Sequence, residues 1–357
     1  MTSVRAVRLL WWAASLGSLV LIVVADLAIP PHTAVLTVFF VIAPLMACAV
    51  LSPADTAVIA AVTVVVAGVS GWWNHDAGTP QQAVRTVDVV VLSAAAIVVA
   101  IVREHRERRY SQLSRIAEAA QRAILPLLPP VTSGVGITAH YQSAAVGALV
   151  GGDLYDCYHH QGLSRIIIGD VRGKGIAGVE QAARVIRAFR QASARAQTLV
   201  GVVEDMDAYL SGFFDDEEFV TALLVEVAAD PDHAILVDAG HPPPLLVAGG
   251  SGLRALEVRE GMPMGTGLPA RWEATPFTWR AGDRMLLYTD GLSEARDEAG
   301  EFLPLERLAG ALRDPAPDRA LERVLETVAA HAAHARLGDD LALVLLENRP
   351  PGLTPPG

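Results

Sequence analysis

Four apolar stretches occupy the first 102 residues of the chain: Leu9–Ile29, Thr33–Leu51, Thr56–Trp73 and Thr86–Val102. Each is about long enough to cross roughly 30 Å of hydrocarbon as a helix rising about 1.5 Å per residue. No other feature constrains the fold as much, because segments of this composition must be covered by lipid or by protein. The breaks between them, Pro30-Pro31-His32, Ser52-Pro53-Ala54-Asp55 and the polar run 74–82, read as turns. Asp88 shortens the uncharged part of the fourth stretch to Val89–Val102. Arg5 and Arg8 ahead of the first stretch would also suit a signal peptide, but three further spans follow at once and favour an uncleaved helix.

Charge divides the chain at the same place. Residues 1–102 hold Arg5, Arg8 and Arg85 against Asp26, Asp55, Asp76 and Asp88, whereas the whole chain has 28 basic and 39 acidic residues. A greasy front half therefore precedes an acidic, globular back half, which excludes a wholly soluble chain and a largely disordered one. The net charge of −11 opposes binding to phosphate backbones, so no nucleic-acid partner is expected. Cys48 and Cys157 lie in different halves and offer neither a disulfide framework nor a thiolate zinc site. Arg103, Arg106, Arg108 and Arg109 crowd the end of the fourth stretch. An even number of spans puts both ends on one side, and the arginines put that side in the cytoplasm. The expectation is a multi-pass protein of the cell membrane, with the lipid bilayer as a partner and the back half cytoplasmic. Asp26 and Asp88, near the outer ends of their spans, are candidates for ligand or proton sensing.

Residues 103–128 form a helical connector with six arginines and three glutamates. Leu113, Ile116, Ala120, Ala123 and Leu127 recur at spacings of three and four, and Pro126, Pro129 and Pro130 end the pattern. This seam fits a short coiled coil, hence a homodimer through the connector, or an amphipathic helix packed on the domain that follows.

Residues 129–348 read as an α+β domain, and 349–357 as a disordered tail. Strand-like runs appear at Arg165–Gly169, Phe219–Val227, Ala234–Asp238, Pro244–Val247, Arg284–Tyr288 and Leu341–Leu346. Helical patterns lie at Gly178–Ala196, Glu204–Phe214, Leu305–Leu312 and Asp318–Ala335. Helices come in series and strands cluster elsewhere, which argues for antiparallel sheets with packed helices.

The aspartates sit at the ends of these strands. Gly151-Gly152-Asp153 opens a strand region, Asp170 ends Ile166-Ile167-Ile168-Gly169, Asp290-Gly291 follows Leu286-Leu287-Tyr288-Thr289, and Asp339-Asp340 precedes the last strand. A strand ending in Asp-Gly is ordinarily a plain turn. Several such ends in one domain, with no histidine pair nearby, suggest hard oxygen ligation of Mg²⁺ or Mn²⁺. Two such ions could activate water for attack on phosphorus. Gly169-Asp170-Val171-Arg172-Gly173-Lys174-Gly175 is not a nucleotide P-loop: its glycine spacing is short by one, and Gly175 stands where Ser or Thr should be. Cys157 has no arginine loop around it and reads as a packing residue rather than a nucleophile. His241, a conceivable general acid, stands before three prolines and reads as structural.

Six segments then fall in an order typical of one family: Gly151–Asp156, Gly169–Gly175, Phe219–Ala222, Ala239–Leu245, Gly282–Gly291 and Asp339–Val344. From about Ala117 to Glu347 the chain resembles the SpoIIE-like bacterial branch of the metal-dependent protein phosphatases, relatives of protein phosphatase 2C. The resemblance does not reach the membrane half. It implies a two-layer β-sandwich flanked by helices with a dinuclear Mn²⁺ or Mg²⁺ centre at one edge. Asp170 would bridge the two ions, the carbonyl of Val171 would join one, Asp290 and Asp339 would hold the second, and Asp153 would act through water on the metal. Asp340 is the alternative to Asp339. Leu154 stands where the family often has Trp and Arg172 where Met is common; neither departure removes a ligand. By the same resemblance the chain is a membrane-anchored protein serine/threonine phosphatase whose substrate is a phosphorylated regulatory partner of the anti-sigma-factor-antagonist type. A membrane receptor whose phosphatase-like domain only binds a partner is the alternative, and a transporter with a regulatory tail is disfavoured by the absence of broken helices or an internal repeat.

Overall fold

Ile166, Ile167 and Ile168 are successive in one strand and all are inaccessible to solvent, so both faces of that strand are covered by protein. This is the organising fact of the back half. The computed structural model describes residues 2–30, 34–143, 152–173, 175–215, 217–228, 230, 232–248, 252–332 and 340–349. The chain divides into two compact units, Met1–Tyr110 and Ser111–Gly357.

In the first unit α1 spans Thr2–Ala28, α2 Ile42–Val50 and α3 Pro53–Trp73, and α4, Pro80–Ile124, begins here. Ser52 caps α3 by accepting the Asp55 amide at 3.1 Å, with Pro53 in the first turn where its missing N–H costs nothing. Three helical segments, Arg5–Ala28, Pro53–Trp73 and Pro80–Ile124, are long and apolar enough to cross a membrane. The second apolar stretch is shorter than the sequence pattern predicts. It comprises a five-residue 3-10 turn, Thr37–Val41, and the nine residues of α2, together about 23 Å. At the start of that turn the Asp26 carboxylate accepts the Leu36 amide at 2.6 Å. Asp26 also accepts from Trp73 Nε1 and Asn74 Nδ2, both at 2.9 Å, and is buried. It thus ties three segments together, whereas Asp88 is exposed on α4. Arg8 makes a two-pronged contact with Asp55, at 3.0 and 2.7 Å. The fourth stretch and most of the connector are one helix, α4, ending just before Pro126.

In the second unit the strands and helices, in chain order, are β1 Val131–Thr132, β2 Val135–Gln142, β3 Leu154–His160, β4 Leu163–Val171, α5 Ile176–Ser193, α6 Leu199–Leu210, β5 Val220–Val227, β6 His233–Ala239, β7 Leu245–Val247, β8 Leu253–Ala255, β9 Thr275–Thr278, β10 Arg284–Tyr288, α7 Asp290–Ser293, α8 Ala309–Leu312, α9 Pro317–His331 and β11 Leu341–Asn348. A six-stranded sheet runs β1-β2-β11-β10-β7-β8 and a five-stranded sheet β3-β4-β5-β6-β9, with every pairing antiparallel. The predicted α+β class is observed. The strands β1, β2, β8 and β9 are not announced by apolar runs, and β3 begins where Gly151-Gly152-Asp153 is expected to open a strand region; β2 flanks the edge strand of the first sheet and β3 is an edge of the second.

Strand alternation sorts the core into layers. Ile166, Ile168, Leu223 and Val225 face Met285, Leu287, Val344 and Leu346 between the sheets. Ile167, Leu224 and Val237 face outward onto α5 and α6 through Val185, Phe189, Val202 and Met206. Leu286, Leu343 and Leu345 face outward onto α9 through Leu321, Val324 and Val328. Helices thus cover both outer faces of a sandwich.

Each sheet also carries one buried arginine at the end away from the strand-terminal aspartates. Arg165 of β4 pairs with Glu226 directly opposite on β5 at 2.7 Å and donates to the Ser193 and Ala196 carbonyls at 2.9 Å, capping α5. Arg284 of β10 does the same with Glu347 on β11 at 2.7 Å and with the Leu312 carbonyl at 3.0 Å, at the end of α8. Arg165→Met is expected to destabilise the chain by roughly 3–5 kcal/mol, since it strands Glu226 and two carbonyls. Adding Glu226→Leu should recover much of that loss, measured as the denaturant midpoint of the purified chain.

Candidate metal centre

Four aspartates stand where strands begin or end. Asp153 immediately precedes β3, Asp170 is the penultimate residue of β4, Asp290 follows β10 by one residue, and Asp340 immediately precedes β11. β4 and β10 belong to different sheets, yet the aspartates at their ends come together. Carboxylate oxygens of Asp153, Asp170 and Asp290 all lie within 4.8 Å of one another. Asp339 lies outside the described residues. Its alternative, Asp340, is buried, and its carboxylate accepts from Tyr141 Oη at 2.6 Å and Ser143 Oγ at 3.3 Å. Val171 is buried beside Asp170 with its carbonyl oxygen packed against Gly152.

The glycines flanking these aspartates have a steric reason. A Cβ on Gly152 would sit 2.3 Å from the Val171 carbonyl oxygen, and one on Gly291 would sit 2.0 Å from that of Asp340. Either substitution would push apart the strand ends that bring the carboxylates together. Chain pattern makes the Asp-Gly pairs visible, and the packing shows that the glycines serve close approach rather than turn geometry alone.

Asp153 is 3% exposed and is the most perturbed member. Burial first, then the charge of Asp170, pushes its pKa well above the usual carboxylate range; Asp340 and Asp290 add to the shift, and a hydrogen bond from Thr289 opposes it. That bond is short, 2.6 Å from Thr289 Oγ1 to Asp153 Oδ2, and the same hydroxyl accepts the Ala342 amide at 2.9 Å. Gln121 of α4 donates to the Asp153 carbonyl at 2.9 Å, so the backbone of this residue is held from the connector side as well. Burial and the bond to Asp340 raise the Tyr141 hydroxyl pKa, keeping it a donor. The sequence pattern does not signal the parts played by Thr289, Tyr141 and Gln121. Thr289 adjoins an aspartate motif, but nothing in the spacing says which way its hydroxyl turns.

Carboxylates packed this closely repel one another unless cations or protons intervene. Hard oxygen donors, several carboxylates and no imidazole among the clustered groups fit Mg²⁺ or Mn²⁺ better than zinc. Other nucleophiles and acids fit poorly. Burial pushes the Cys157 thiol up to about 12, so it stays protonated. Burial lowers His241 to about 4, with hydrogen bonding to the Tyr288 backbone opposing the shift, so at neutral pH it has no extra proton to give. Its Nδ1 lies 3.3 Å from Thr221 Oγ1. A cleft of about 480 Å³ opens beside Asp290, lined by Thr221, Asp238, His241, Pro242, Val258 and Glu260 among others.

A carboxyl whose pKa is higher in the folded than in the unfolded chain binds its proton more tightly when folded. The contribution of Asp153 to the stability of metal-free protein should therefore grow as pH falls from neutral toward the ordinary carboxylate value of roughly 4. Asp153→Asn should raise the melting temperature of EDTA-treated protein at neutral pH, and the difference should shrink as pH falls. A difference independent of pH would contradict this assignment.

Comparison with known proteins adds the following. Residues 160–349 match the family described as Stage II sporulation protein E (SpoIIE), which is just over half of the chain. Asp153 lies ahead of that segment and is joined to it by the geometry above. The phosphoserine phosphatase RsbP of Bacillus subtilis is 28% identical over 174 residues, covering 46% of this chain and 41% of that protein, so the chain spans about two fifths of the length of this relative. The crystal structure of the RsbU and RsbW domains of a Mycobacterium tuberculosis protein is similar with a TM-score of 0.51 and 26% identity, over 63% of this chain and 62% of that one. The SiaA-PP2C domain of Pseudomonas aeruginosa, 21% identical, shares the fold with a TM-score of 0.55 over 70% of this chain and 99% of its own length.

Proposed function

The chain belongs to the SpoIIE family, and from that premise we propose that it is a membrane-anchored, Mn²⁺- or Mg²⁺-dependent protein serine/threonine phosphatase. The observation that carries this reading is the convergence of Asp153, Asp170 and Asp290 within 4.8 Å at the edge of the sandwich. Asp170 and Asp290 hold the ions in this proposal, with the Val171 carbonyl and Asp339 completing the set and Asp340 as the alternative to Asp339. When bound, the divalent ions neutralise the carboxylates, bind the phosphoryl oxygens and lower the pKa of water for attack on phosphorus.

The chain's own residues prepare that chemistry. Thr289, anchored on the backbone of β11, holds one oxygen of Asp153 and leaves the other to orient water. Tyr141 and Ser143 fix the rotamer of Asp340 beside the centre. No side chain is needed as a covalent nucleophile, in keeping with a Cys157 thiol held protonated by burial.

Residues 1–102 form the membrane domain in this proposal, residues 103–128 the connector and 129–348 the catalytic domain. The four apolar segments return both ends to the cytoplasmic side, where the connector arginines lie. Helices of sufficient length and apolarity support this for three of the four. The partner is a phosphorylated regulatory protein of the anti-sigma-factor-antagonist type, a reading supported by the similarity to RsbP, itself a phosphoserine phosphatase. A receptor with a phosphatase-like binding module would not need its carboxylates gathered, and their clustering counts against it.

Asp290→Asn should reduce Mn²⁺-dependent hydrolysis of a phosphoserine protein by more than about 100-fold, beyond what loss of an outer-shell partner produces. The circular dichroism spectrum should be unchanged. Wild-type turnover that survives excess EDTA would refute the metal dependence.

A further inference from the structure

The cleft beside Asp290 has an unusual charge inventory. Among the described residues its lining includes three carboxylates, Asp238, Glu260 and Asp290, and no lysine or arginine. His241 adds no positive charge there, since burial lowers it to about 4. Asp238 is occupied: its oxygens accept the amides of Gly240 at 3.2 Å, His241 at 2.8 Å and Gly261 at 3.1 Å, which fastens the 240–243 turn to the 258–262 segment across the cleft. Asp290 belongs to the candidate metal cluster. Glu260 is different. It is exposed on the rim and forms no ion pair among the described residues, and its charge adds a little to the rise that burial gives the Asp238 pKa.

The walls are apolar: Leu223, Pro242, Pro243 and Val258. They are also fixed in place. Trp272 donates from Nε1 to the Met262 carbonyl at 2.9 Å and packs against Gly261, while Gly261 donates to Asp238 of β6 and Met264 bridges to Val220 of β5, so the 258–264 wall is tied to two strands of one sheet. A small anion is excluded by the carboxylates. A second metal ion would find Asp238 already saturated by backbone amides and only Glu260 to bind. An exposed carboxylate at the rim of an acidic cleft with apolar walls suits a long side chain with an aliphatic stem and a cationic head.

We propose that this cleft receives a lysine or arginine that flanks the phosphoserine of the substrate protein, with Glu260 as its charge partner and Pro242, Pro243 and Val258 packed along its stem. The proposal rests on the phosphatase reading above and names the substrate class that reading leaves open. The phosphate is drawn to the metals while the neighbouring residue enters a slot of one sign, so a cationic flank is attracted and an acidic flank repelled.

The test uses the full chain in lipid nanodiscs with Mn²⁺ and matched phosphoserine peptides carrying Arg, Ala or Glu beside the phosphoserine. At low ionic strength kcat/KM should favour Arg over Glu by about tenfold, with Ala between, and the ratio should fall as salt screens the charge. Glu260→Gln should bring the Arg-to-Glu ratio close to unity, and Glu260→Lys should invert it. The same peptides with a hydrolysis-resistant phosphonate in place of the phosphate are titrated by fluorescence anisotropy, and the preference for Arg should appear there too. Equal binding of all three peptides, or an Arg preference that survives Glu260→Lys, overturns the proposal. An Arg preference in binding that depends on Glu260, with no Mn²⁺-dependent hydrolysis of any peptide, supports the cleft and overturns the phosphatase reading instead.

Discussion

Carboxylates that repel one another have to be held at one edge of the sandwich, and the architecture around them is organised to do so. Asp153, Asp170 and Asp290 come from strand ends of two different sheets, and each is placed by backbone that the core has already fixed. Ile166 to Ile168 are buried on both faces, so β4 cannot slide, and Asp170 inherits that fixity. Leu286 and Leu287 do the same for Asp290. The apolar interior thereby supplies what the charged edge lacks, namely a reason for like charges to stay close while cations are absent.

The second contribution is local. Thr289 links the Asp153 carboxylate of one sheet to the Ala342 amide of the other through a single hydroxyl. Gly152 and Gly291 allow the backbones to approach where any side chain would block them. Charge alone would scatter these aspartates; hydrogen bonds and missing β-carbons let them converge before any ligand arrives, which is how binding sites limit the reorganisation they must undergo.

Much of this was legible in the chain because it is written in runs. Apolar stretches ending in Asp identify β4 and β10, and they mark Asp170 and Asp290 at once. The strand β2 was not legible, since Val135–Gln142 mixes glycine, histidine, tyrosine and glutamine with few aliphatic residues, and its pairing partner makes it a strand; β3 was marked at its start, by the strand region that Gly151-Gly152-Asp153 opens, and not by its own residues. Gln121 was unreadable for another reason: a glutamine in an arginine-rich helix looks like surface until the domain beneath it is known. The second apolar stretch misled by composition. Its residues are mostly apolar, but the α-helix occupies only Ile42–Val50, behind a 3-10 turn whose first amide, that of Leu36, is taken by Asp26.

Arg165 and Arg284 occupy matching places in the two sheets, each joining a cross-strand glutamate to the carbonyls that end an outer helix. Both stand at the edge opposite the aspartates. Each sheet is therefore pinned to an outer helix at the rim away from the aspartates, whereas at the aspartate rim one hydroxyl, that of Thr289, joins a carboxylate of one sheet to an amide of the other. Local opening should begin where so few bonds span the layers, and the gathered carboxylates would part before the helix-backed rim gives way.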